Sequence, residues 1–338
     1  MAPRIGIDAM GGDHGPDVVA EGVALAYREM PGRFHVTLVG DEGEIRAALQ
    51  RHKADGLGID VVHAEERIDM AEKATKAMRR SGTSLGVLAQ LHKDRKVDAM
   101  FSAGNTGAVV ATALLTLGRL EGVARPALAA FFPNPSGGTV VLDVGATSDC
   151  RAQYLVQFAH MGAVYARYLL DRPNPRVGLL SIGEESTKGN ALVLETRPLM
   201  EQASHLNFVG HVEGRDIFKG GCDVIVTDGF TGNVVLKSAE GVATLMAHKV
   251  RDELRRDWLA RLGAMFMLPA LNRLKAEIDW EEYGAAPLLG VDGVCFIGHG
   301  SSRARAFRSA IRTLARFVEN RVNEHIREEI RADHVTAA

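Results

Sequence analysis

Short apolar runs alternate with longer helical patterns along almost the whole chain, and this alternation limits the folds that it can adopt. Most of the runs are followed by a glycine-containing turn and then by a helical pattern. Such alternation is typical of a mainly parallel sheet with helices on both faces, so the sequence predicts an α/β fold. The predicted strands are Ile5–Ile7, Val36–Val39, Ile59–Val62, Ala99–Phe101, Val140–Leu142, Val177–Leu180, Asn207–Val209, Val224–Val226 and Val294–Ile297.

The length and composition are those of an ordinary soluble protein with a sizeable core. The 338 residues are 46% hydrophobic and 24% charged, and a chain of this length can form two domains or one large one. The sequence contains no internal repeat, low-complexity tract or long linker. We therefore interpret residues 1–338 as a single α/β catalytic domain.

Charge and cysteine content exclude several classes of function. Forty Lys and Arg residues against 42 Asp and Glu residues give a net charge of −2, which argues against broad nucleic-acid binding. The three cysteines lie far apart, so a disulfide framework or zinc site is not expected and a reducing cytoplasm fits. We expect no signal peptide and no membrane span, because no apolar stretch is long enough.

Two helices can be assigned from local patterns. Pro16 suits the first turn of a helix, and Asp17 and Glu21 favour its positive end. Apolar residues recur every three or four positions from Phe307 to Ile330, so residues 303–331 are predicted to form one long amphipathic helix.

Two loops that follow early strands have unusual compositions. Asp8–Pro16 contains three glycines and two acids, which suit either a ligand loop or a tight turn with a helix cap. In Ser102–Gly107, small polar residues precede a helix. They can cradle phosphate at the helix N-terminus, or Asn105 or Thr106 can simply cap the helix. For this second loop we favour anion binding.

Three later loops have a similar composition, rich in glycine and polar residues. Ser181–Asn190 carries Lys188, which can act as a point charge for phosphate or be an ordinary surface lysine. Asp228–Asn233 and Gly298–Ser302 each follow a strand. Ligands of open α/β sheets bind outside the carboxyl ends of the strands, so we expect all five loops to meet at one carboxyl edge.

Several catalytic motifs are absent from the sequence. It has neither Gly-x-Gly-x-x-Gly nor a phosphate-binding P-loop, and it lacks His-Glu-x-x-His. Gly82–Gly86 matches Gly-x-Ser-x-Gly, but a helix-like segment rather than a strand precedes it. We interpret Ser84 as a chance match.

Taken together, the loops resemble the phosphate acyltransferase family of bacterial phospholipid synthesis. The matching segments occur in family order and extend over nearly the whole chain. They are Ile7–Pro16, Ser102–Ala108, Leu142–Ala146, Ile182–Glu185, Lys188–Asn190, Val212–Ile217, Asp228–Asn233, Tyr283–Gly284, Ala286–Gly290 and Gly298–Ser302.

This resemblance implies a fold, a reaction and a set of partners. The fold is expected to be a Rossmann-like three-layer αβα sandwich, like those of isopropylmalate dehydrogenase and phosphotransacetylase. The implied reaction converts acyl-acyl carrier protein and inorganic phosphate to acyl phosphate and free carrier protein, with no metal and no organic cofactor. The resemblance also implies a homodimer in the cytoplasm, or loosely on the inner membrane face. A membrane acyltransferase would then pass the acyl group to glycerol 3-phosphate.

The resemblance ties two residues to catalysis, namely Lys188 and Asn233. Phosphate is itself a nucleophile, so we expect Lys188 to neutralise it and Asn233 to donate a hydrogen bond to the oxyanion or the phosphate. His14 and His299 are either proton shuttles or hydrogen-bonding loop residues. The other residues predicted to bind phosphate or substrate are Asp8, Gly11, Gly12, Gly104, Asn105, Thr106, Asp143, Asp228 and Ser301. The three aspartates are expected to orient hydrogen-bond donors.

Residues 254–278 interrupt the alternation of strands and helices with a segment rich in apolar and basic residues, which we call the excursion. Pro269 divides it into two short amphipathic helices. Apolar side chains with basic flanks suit a membrane surface, whereas a dimer interface would bury similar residues. The family resemblance favours membrane contact. The predicted contact residues are Trp258, Leu259, Leu262, Met265, Phe266, Leu268 and Leu271. The basic residues are also candidates to meet acidic acyl carrier protein.

Two rival functions remain open at this stage. A decarboxylating NAD-dependent dehydrogenase can have a related fold without the dinucleotide motif. A non-catalytic scaffold on the membrane surface would explain the excursion but not the glycine- and asparagine-rich loops.

Overall fold

The computed structural model describes residues 2–72, 80, 82–203, 205–256, 260, 262–263, 265–267, 269–270 and 285–336. The strands are β1 Arg4–Asp8, β2 His35–Gly40, β3 Asp60–His63, β4 Ala99–Ser102, β5 Ala127–Phe132, β6 Thr139–Leu142, β7 Arg176–Leu180, β8 Asn207–Val212, β9 Val224–Val226, β10 Ala286–Leu289 and β11 Cys295–Ile297. The helices are α1 Gly15–Glu29, α2 Glu42–Arg51, α3 Ser84–Lys93, α4 Thr106–Thr116, α5 Ala152–Leu169, α6 Ala191–Gln202, α7 Gly229–Arg255, α8 Ala304–Glu319 and α9 Val322–Thr336, with a short 3-10 helix at Gly214–Phe218.

The strands form one continuous sheet in the order β3-β2-β1-β4-β11-β10-β5-β6-β9-β7-β8. All nine predicted strands are confirmed, each within a few residues of its expected bounds. The sequence analysis missed β5 and β10. β5 is made of alanine, leucine and phenylalanine without a β-branched residue, and Pro287 lies inside β10. The absence of β-branched residues in both strands and the proline in β10 explain why neither was recognised.

The two missed strands reverse the direction of half of the sheet. β10 is antiparallel to β11 and to β5, and β5 is antiparallel to β6, whereas the other pairings are parallel. After three reversals, β6, β9, β7 and β8 run opposite to β1, β2, β3, β4 and β11. The expectation that all the loops leave from one carboxyl edge is therefore wrong, because the carboxyl ends of the two halves lie at opposite edges.

Helices cover both faces of the sheet, as the expected three-layer αβα arrangement requires. Successive residues of a strand face opposite sides. In β6, Val140 and Leu142 accordingly pack into one buried core, and Val141 packs into the other. The first core lies under α1, α2, α5, α6, α8 and α9, and the second lies under α3, α4, α7 and the 3-10 helix.

The predictions for individual helices had different outcomes. α1 begins at Gly15 with a proline in its first turn, as expected. The single helix predicted over residues 303–331 is wrong, because α8 ends at Glu319 and α9 begins at Val322. Arg321 has a φ of 51°, a left-handed conformation that terminates helices. Both helices still bury their apolar residues in the same core, which explains the uninterrupted stripe.

Only parts of the predicted excursion belong to the described residues. Leu262, Met265 and Phe266 are 43%, 63% and 77% exposed. The other predicted contact residues, like position 264, lie outside the described residues. They are Trp258, Leu259, Leu268 and Leu271. Within the described parts of the chain, every helix is too short or too polar to cross a bilayer.

Candidate active site

A cavity of about 860 Å³ lies beside β5 and brings together loops from both halves of the sheet. Four of the predicted site residues line it, namely Gly104, Thr106, Asn233 and His299. The first two and His299 follow β4 and β11, and Asn233 follows β9. The cavity is therefore the place where the two sets of strand ends meet.

The twist of the sheet explains how opposite edges reach one cavity. Adjacent strands rotate by roughly 20–25° relative to each other. Five steps separate β4 from β9 in the sheet, so the two strands differ by roughly 100° or more. The carboxyl ends of the two halves consequently lie on neighbouring walls of the cavity.

The N-terminus of α4 forms one wall of the cavity. Asn105 caps this helix, with its side-chain oxygen accepting from the Ala108 amide at 3.0 Å. The Asn105 amide nitrogen donates to the Met70 carbonyl at 2.7 Å. The capping interpretation of Asn105 is thus confirmed. Thr106 and Gly107 line the cavity at the positive end of the helix, where anions bind favourably.

Asp8 holds the loop after β1 against the loop after β4. Its carboxylate accepts the Ser102 hydroxyl at 2.7 Å and the Met10 amide at 3.1 Å. Burial raises the pKa of Asp8 above the ordinary carboxyl value, although hydrogen bonds from Ser102, Ser84 and the Met10 and Gly11 amides oppose the shift. Asp8 orients the loop rather than lining the cavity.

The two glycines of this loop are required by close packing and backbone geometry. A Cβ atom on Gly11 would lie 2.9 Å from the Gly104 amide nitrogen, so no side chain fits there. Gly12 has a φ of 90°, which strains other residues. The next amide, that of Asp13, donates to the Gly300 carbonyl at 2.8 Å and ties the β1 loop to the β11 loop.

A second helix N-terminus, that of α7, reaches the cavity from the other half of the sheet. Asp228 caps it, accepting from the Thr231 amide at 2.9 Å and the Thr231 hydroxyl at 2.7 Å. Gly229 and Phe230 line the cavity at this helix start, and Asn233 follows one turn later. Asn233 is exposed, and its side chain lies close to Gly145.

Asp143 organises the turn after β6 from a fully buried position. Its carboxylate accepts four backbone amides at 2.6–3.0 Å, those of Leu128, Gly145, Ala146 and Thr147. Burial raises the pKa of Asp143, and the amides from the turn and from Leu128 counteract the shift. Asp143 therefore shapes the wall formed by Val144 and Gly145, and it does not itself line the cavity.

Lys188 lies on the exposed loop after β7, outside the set of residues that line the cavity. Its backbone is fixed, because its amide donates to the Glu185 carbonyl at 3.0 Å and its carbonyl accepts the Ser181 hydroxyl at 3.2 Å. β7 pairs with β9 in parallel. Lys188 and Asn233 thus leave the same edge of the sheet from neighbouring strands.

The two candidate histidines occupy different positions. His14 is exposed at the start of α1 and makes no side-chain cap bond. His299 lines the cavity, and its Nδ1 accepts the Ser301 amide at 3.2 Å and lies 2.8 Å from the Ser301 hydroxyl. Acceptance at Nδ1 places the proton of a neutral ring on Nε2. Ser301 therefore orients His299 rather than lining the cavity itself.

Thiol chemistry is not favoured at this site. Cys150 is close to the α7 start, and its Sγ donates to the Thr147 carbonyl at 3.4 Å. Burial raises the pKa of Cys150 to about 11, so the thiol stays protonated at neutral pH. Among the described residues, no group of three or more His, Cys, Asp or Glu side chains is arranged to hold a metal ion.

The sequence analysis missed several residues that line the cavity, above all Lys237. Lys237 follows Asn233 by four positions on α7, so both lie on one helical face, and Lys237 pairs with Glu240 at 2.9 Å. The spacing from Asn233 could have identified it. The other end of the cavity, near Arg312 and Arg316, comes from the segment that the sequence predicted only as an amphipathic helix.

The chain is similar to known proteins over almost its whole length. The sequence matches the family described as "Fatty acid synthesis protein" over residues 3–325. It is 49% identical to the phosphate acyltransferase of Thermus thermophilus over 332 residues, which cover 98% of this chain and 100% of the relative. It is 47% identical to the phosphate acyltransferase of Pelotomaculum thermopropionicum over 336 residues, covering 99% and 97%.

Solved structures resemble the chain in fold. A phosphotransacetylase from Streptococcus pyogenes superimposes with a TM-score of 0.61 at 18% identity, covering 94% of each chain. The EutD phosphotransacetylase from Staphylococcus aureus gives 0.59 at 14% identity, also covering 94% of each chain. These likenesses support the expected phosphotransacetylase-like sandwich.

Proposed function

The chain belongs to the phosphate acyltransferase family and is an acyltransferase, and we propose that it moves a fatty acyl group from acyl carrier protein to inorganic phosphate. The products are an acyl phosphate and free carrier protein. We further propose that a membrane acyltransferase uses the acyl phosphate to acylate glycerol 3-phosphate.

One observation carries this proposal. The N-termini of α4 and α7 line a single cavity from two halves of the sheet. Each helix N-terminus offers backbone amides and partial positive charge, which suit phosphate on one side and a developing oxyanion on the other. A dehydrogenase would instead need a nicotinamide site, and a scaffold would need no such pair of helix ends.

The chemistry needs positioning and charge stabilisation rather than a protein nucleophile. An oxygen of hydrogen phosphate attacks the thioester carbonyl carbon, and a tetrahedral oxyanion forms. The carbon–sulfur bond then breaks, the acyl–phosphate bond remains, and the proton carried by the phosphate ends on the carrier's thiol. Holding both reactants in place can contribute roughly 7 kcal/mol, and each oxyanion donor roughly 3 kcal/mol.

We assign the phosphate to the α4 end of the cavity, where Thr106 and Gly107 begin the helix. Asn233 donates to the oxyanion or the phosphate through its side-chain amide. Lys188 supplies positive charge from the neighbouring β7 loop, which lies beside the strand that leads into α7. His299 donates through Nε2 and completes the site from the β11 loop.

The experiment measures release of carrier thiol from acyl-acyl carrier protein with and without phosphate. The proposal predicts release only when phosphate is present. It also predicts a loss of two or three orders of magnitude in kcat for Lys188→Ala and for Asn233→Ala. Thiol release at the same rate with and without phosphate would contradict the proposal that phosphate is the acyl acceptor. Reduction of NAD by the chain with a 2-hydroxy acid would instead support the dehydrogenase.

We also propose that the chain forms a homodimer and touches the inner membrane face through residues 254–278. The exposed side chains of Leu262, Met265 and Phe266 support membrane contact. Exposed apolar residues on α7, including Val242 and Met246, support a separate dimer surface. Leu262→Glu with Phe266→Glu should abolish sedimentation with anionic vesicles and leave the dimer intact. Monomerisation of that variant would assign residues 254–278 to the dimer interface.

A further inference from the structure

The cavity extends beyond the polar loops into an apolar region on the other face of the sheet. Its walls there come from Tyr165 and Leu169 of α5, from Leu170 directly after it, and from Thr313 of α8. Tyr165 and Leu169 are buried in the core of that face, whereas Phe230 and Asn233 belong to the α7 side. A single cavity therefore reaches both faces of one continuous sheet.

A local split between two strands allows this passage. β10 and β5 pair only through Leu288 with Leu128 and Leu289 with Ala127. The preceding residues of β10, Ala286 and Pro287, pair with β11 instead. Pro287 has no amide hydrogen to donate, so β10 cannot continue a regular ladder towards β5 at that position.

The cavity is lined at this split by apolar side chains, most of which are small. They are Ala129, Ala130 and Phe131 of β5 together with Ala285, Ala286 and Pro287. The missing pairing and the small side chains leave room between the strands. The opening joins the site on the α4 and α7 side to the apolar region beneath α5 and α8.

We propose that the fatty acyl chain of the donor threads through the split between β5 and β10, with its far end between α5 and α8. This inference rests on the proposed acyl transfer, because the thioester carbonyl must lie at the polar end. The walls beyond the split favour an alkyl chain, since they bury apolar surface without presenting a row of polar partners. A cavity of about 860 Å³ is within the range of sites that enclose a whole ligand.

The position of Thr313 at the far end of the channel limits the length of the acyl chain that fits. Thr313 lies between Arg312 and Arg316, which also line the cavity at its far end, and Arg316 pairs with Asp171 at 3.5 Å. Each methylene that enters an apolar channel should raise kcat/KM by roughly fourfold. The gain in kcat/KM should stop when the acyl chain reaches Arg312 and Arg316.

The test compares butyryl, octanoyl and palmitoyl donors on acyl carrier protein in two channel variants of the full chain. Thr313→Trp narrows the far end and should lower kcat/KM for palmitoyl donors by roughly tenfold or more, with little effect on butyryl donors. Ala286→Leu narrows the split itself and should lower kcat/KM for octanoyl as well as palmitoyl donors. Arg305→Trp, on the exposed side of the same helix α8 and outside the cavity lining, serves as the control and should keep the wild-type profile.

Equal losses for all donors in both variants would overturn the channel, as would no loss for any donor. A second measurement does not depend on turnover or on the carrier. Alkyl phosphonates of increasing length should bind the wild type with an affinity, measured by isothermal titration calorimetry, that rises with length, and Thr313→Trp should end that rise earlier. If the wild type releases no thiol in response to phosphate, the proposed function itself fails. Normal turnover without this length dependence overturns only the channel.

Discussion

The two halves of the sheet are alike at the amino ends of their strands and different at the carboxyl ends. At the amino ends, Arg4 pairs with Asp98 at 2.7 Å in the first half, and Arg176 pairs with Asp223 at 3.1 Å in the second. Each pair joins the starts of two parallel strands, β1 with β4 and β7 with β9. These ion pairs lie outside the cavity lining and support the framework.

At the carboxyl ends, the two halves use their polar residues differently. In the first half, Asp8 and Asn105 are engaged in hydrogen bonds that fix the loops, so this half offers the N-terminus of α4 and the side chain of His299 to the cavity. In the second half, Asp143 and Asp228 do the fixing, and Asn233 and Lys188 remain exposed. In the proposed reaction, the first half of the sheet supplies a preformed cradle with His299, and the second half supplies the side chains of Asn233 and Lys188.

The largest expected effect is a loss of turnover when a side chain in the second half of the sheet is removed. Asn233→Ala should lower kcat by a factor of roughly 100 to 1,000 through the loss of a donor to the oxyanion. Because Asn233 is exposed, the free energy of unfolding should change by less than about 0.5 kcal/mol. Hydroxamate trapping of acyl phosphate and denaturant unfolding measure the two quantities. A strongly destabilised variant with proportionate loss of activity would contradict the division of roles.

The next effect is on packing around the start of α7. A Cβ atom on Gly232 would overlap the Asp143 carbonyl, so Gly232→Ala should lower the free energy of unfolding by roughly 1–3 kcal/mol. Gly241 lies on the same helix with no atom within 4 Å of such a Cβ. Gly241→Ala should raise the unfolding free energy by roughly 0.5–1 kcal/mol. Equal effects at the two glycines would contradict the close approach of α7 to β6.

A smaller effect is expected from the cap in the first half. Asn105→Ala removes the acceptor for the Ala108 amide and should cost about 1 kcal/mol of stability. Asn105→Asp keeps a capping oxygen but loses the donor to the Met70 carbonyl, and it should retain most of that stability. Circular dichroism melting measures both variants. Unchanged stability in Asn105→Ala would show that the cap is not needed to form the cradle.

The smallest effect concerns the ion pairs at the amino ends. Burial alone would raise the pKa of Asp98 and of Asp223, but hydrogen bonds and charge from Arg4 and Arg176 outweigh it and lower both values. A lowered folded-state pKa stabilises the protein above the ordinary carboxyl pKa of about 3.9, and the contribution is lost as pH falls through the folded value.

Asp98→Asn and Asp223→Asn should therefore each cost roughly 0.2–1 kcal/mol at neutral pH, because the arginine partners are exposed. The difference from the wild type should shrink as the pH falls below about 4. Urea unfolding at several pH values measures it. A difference that grows on acidification would have the wrong sign for these pairs.

Much of the fold could be predicted from the sequence because most strands are apolar, β-branched and followed by glycine. β5 and β10 are apolar but contain no β-branched residue, and β10 includes Pro287. Their antiparallel pairing decides which loops meet. Single-sequence reasoning therefore identified the loops but assigned them to one edge instead of two. The sequence did lead us to expect that Asp8 and Asp143 orient hydrogen-bond donors. It could not show that both lie outside the cavity lining, because burial and partners come from tertiary packing. Lys237 and the channel under α5 depend on the same packing.

In the proposed reaction, one cavity built from both halves of the sheet joins phosphate to an acyl group. ³¹P NMR of the protein mixed with acyl-acyl carrier protein and inorganic phosphate tests it most directly. The proposed reaction should give a new acyl phosphate resonance that grows as the phosphate signal declines, and this resonance should be almost abolished in Asn233→Ala. Cleavage of the thioester with an unchanged phosphate signal, or equal formation of acyl phosphate by the variant, would contradict it.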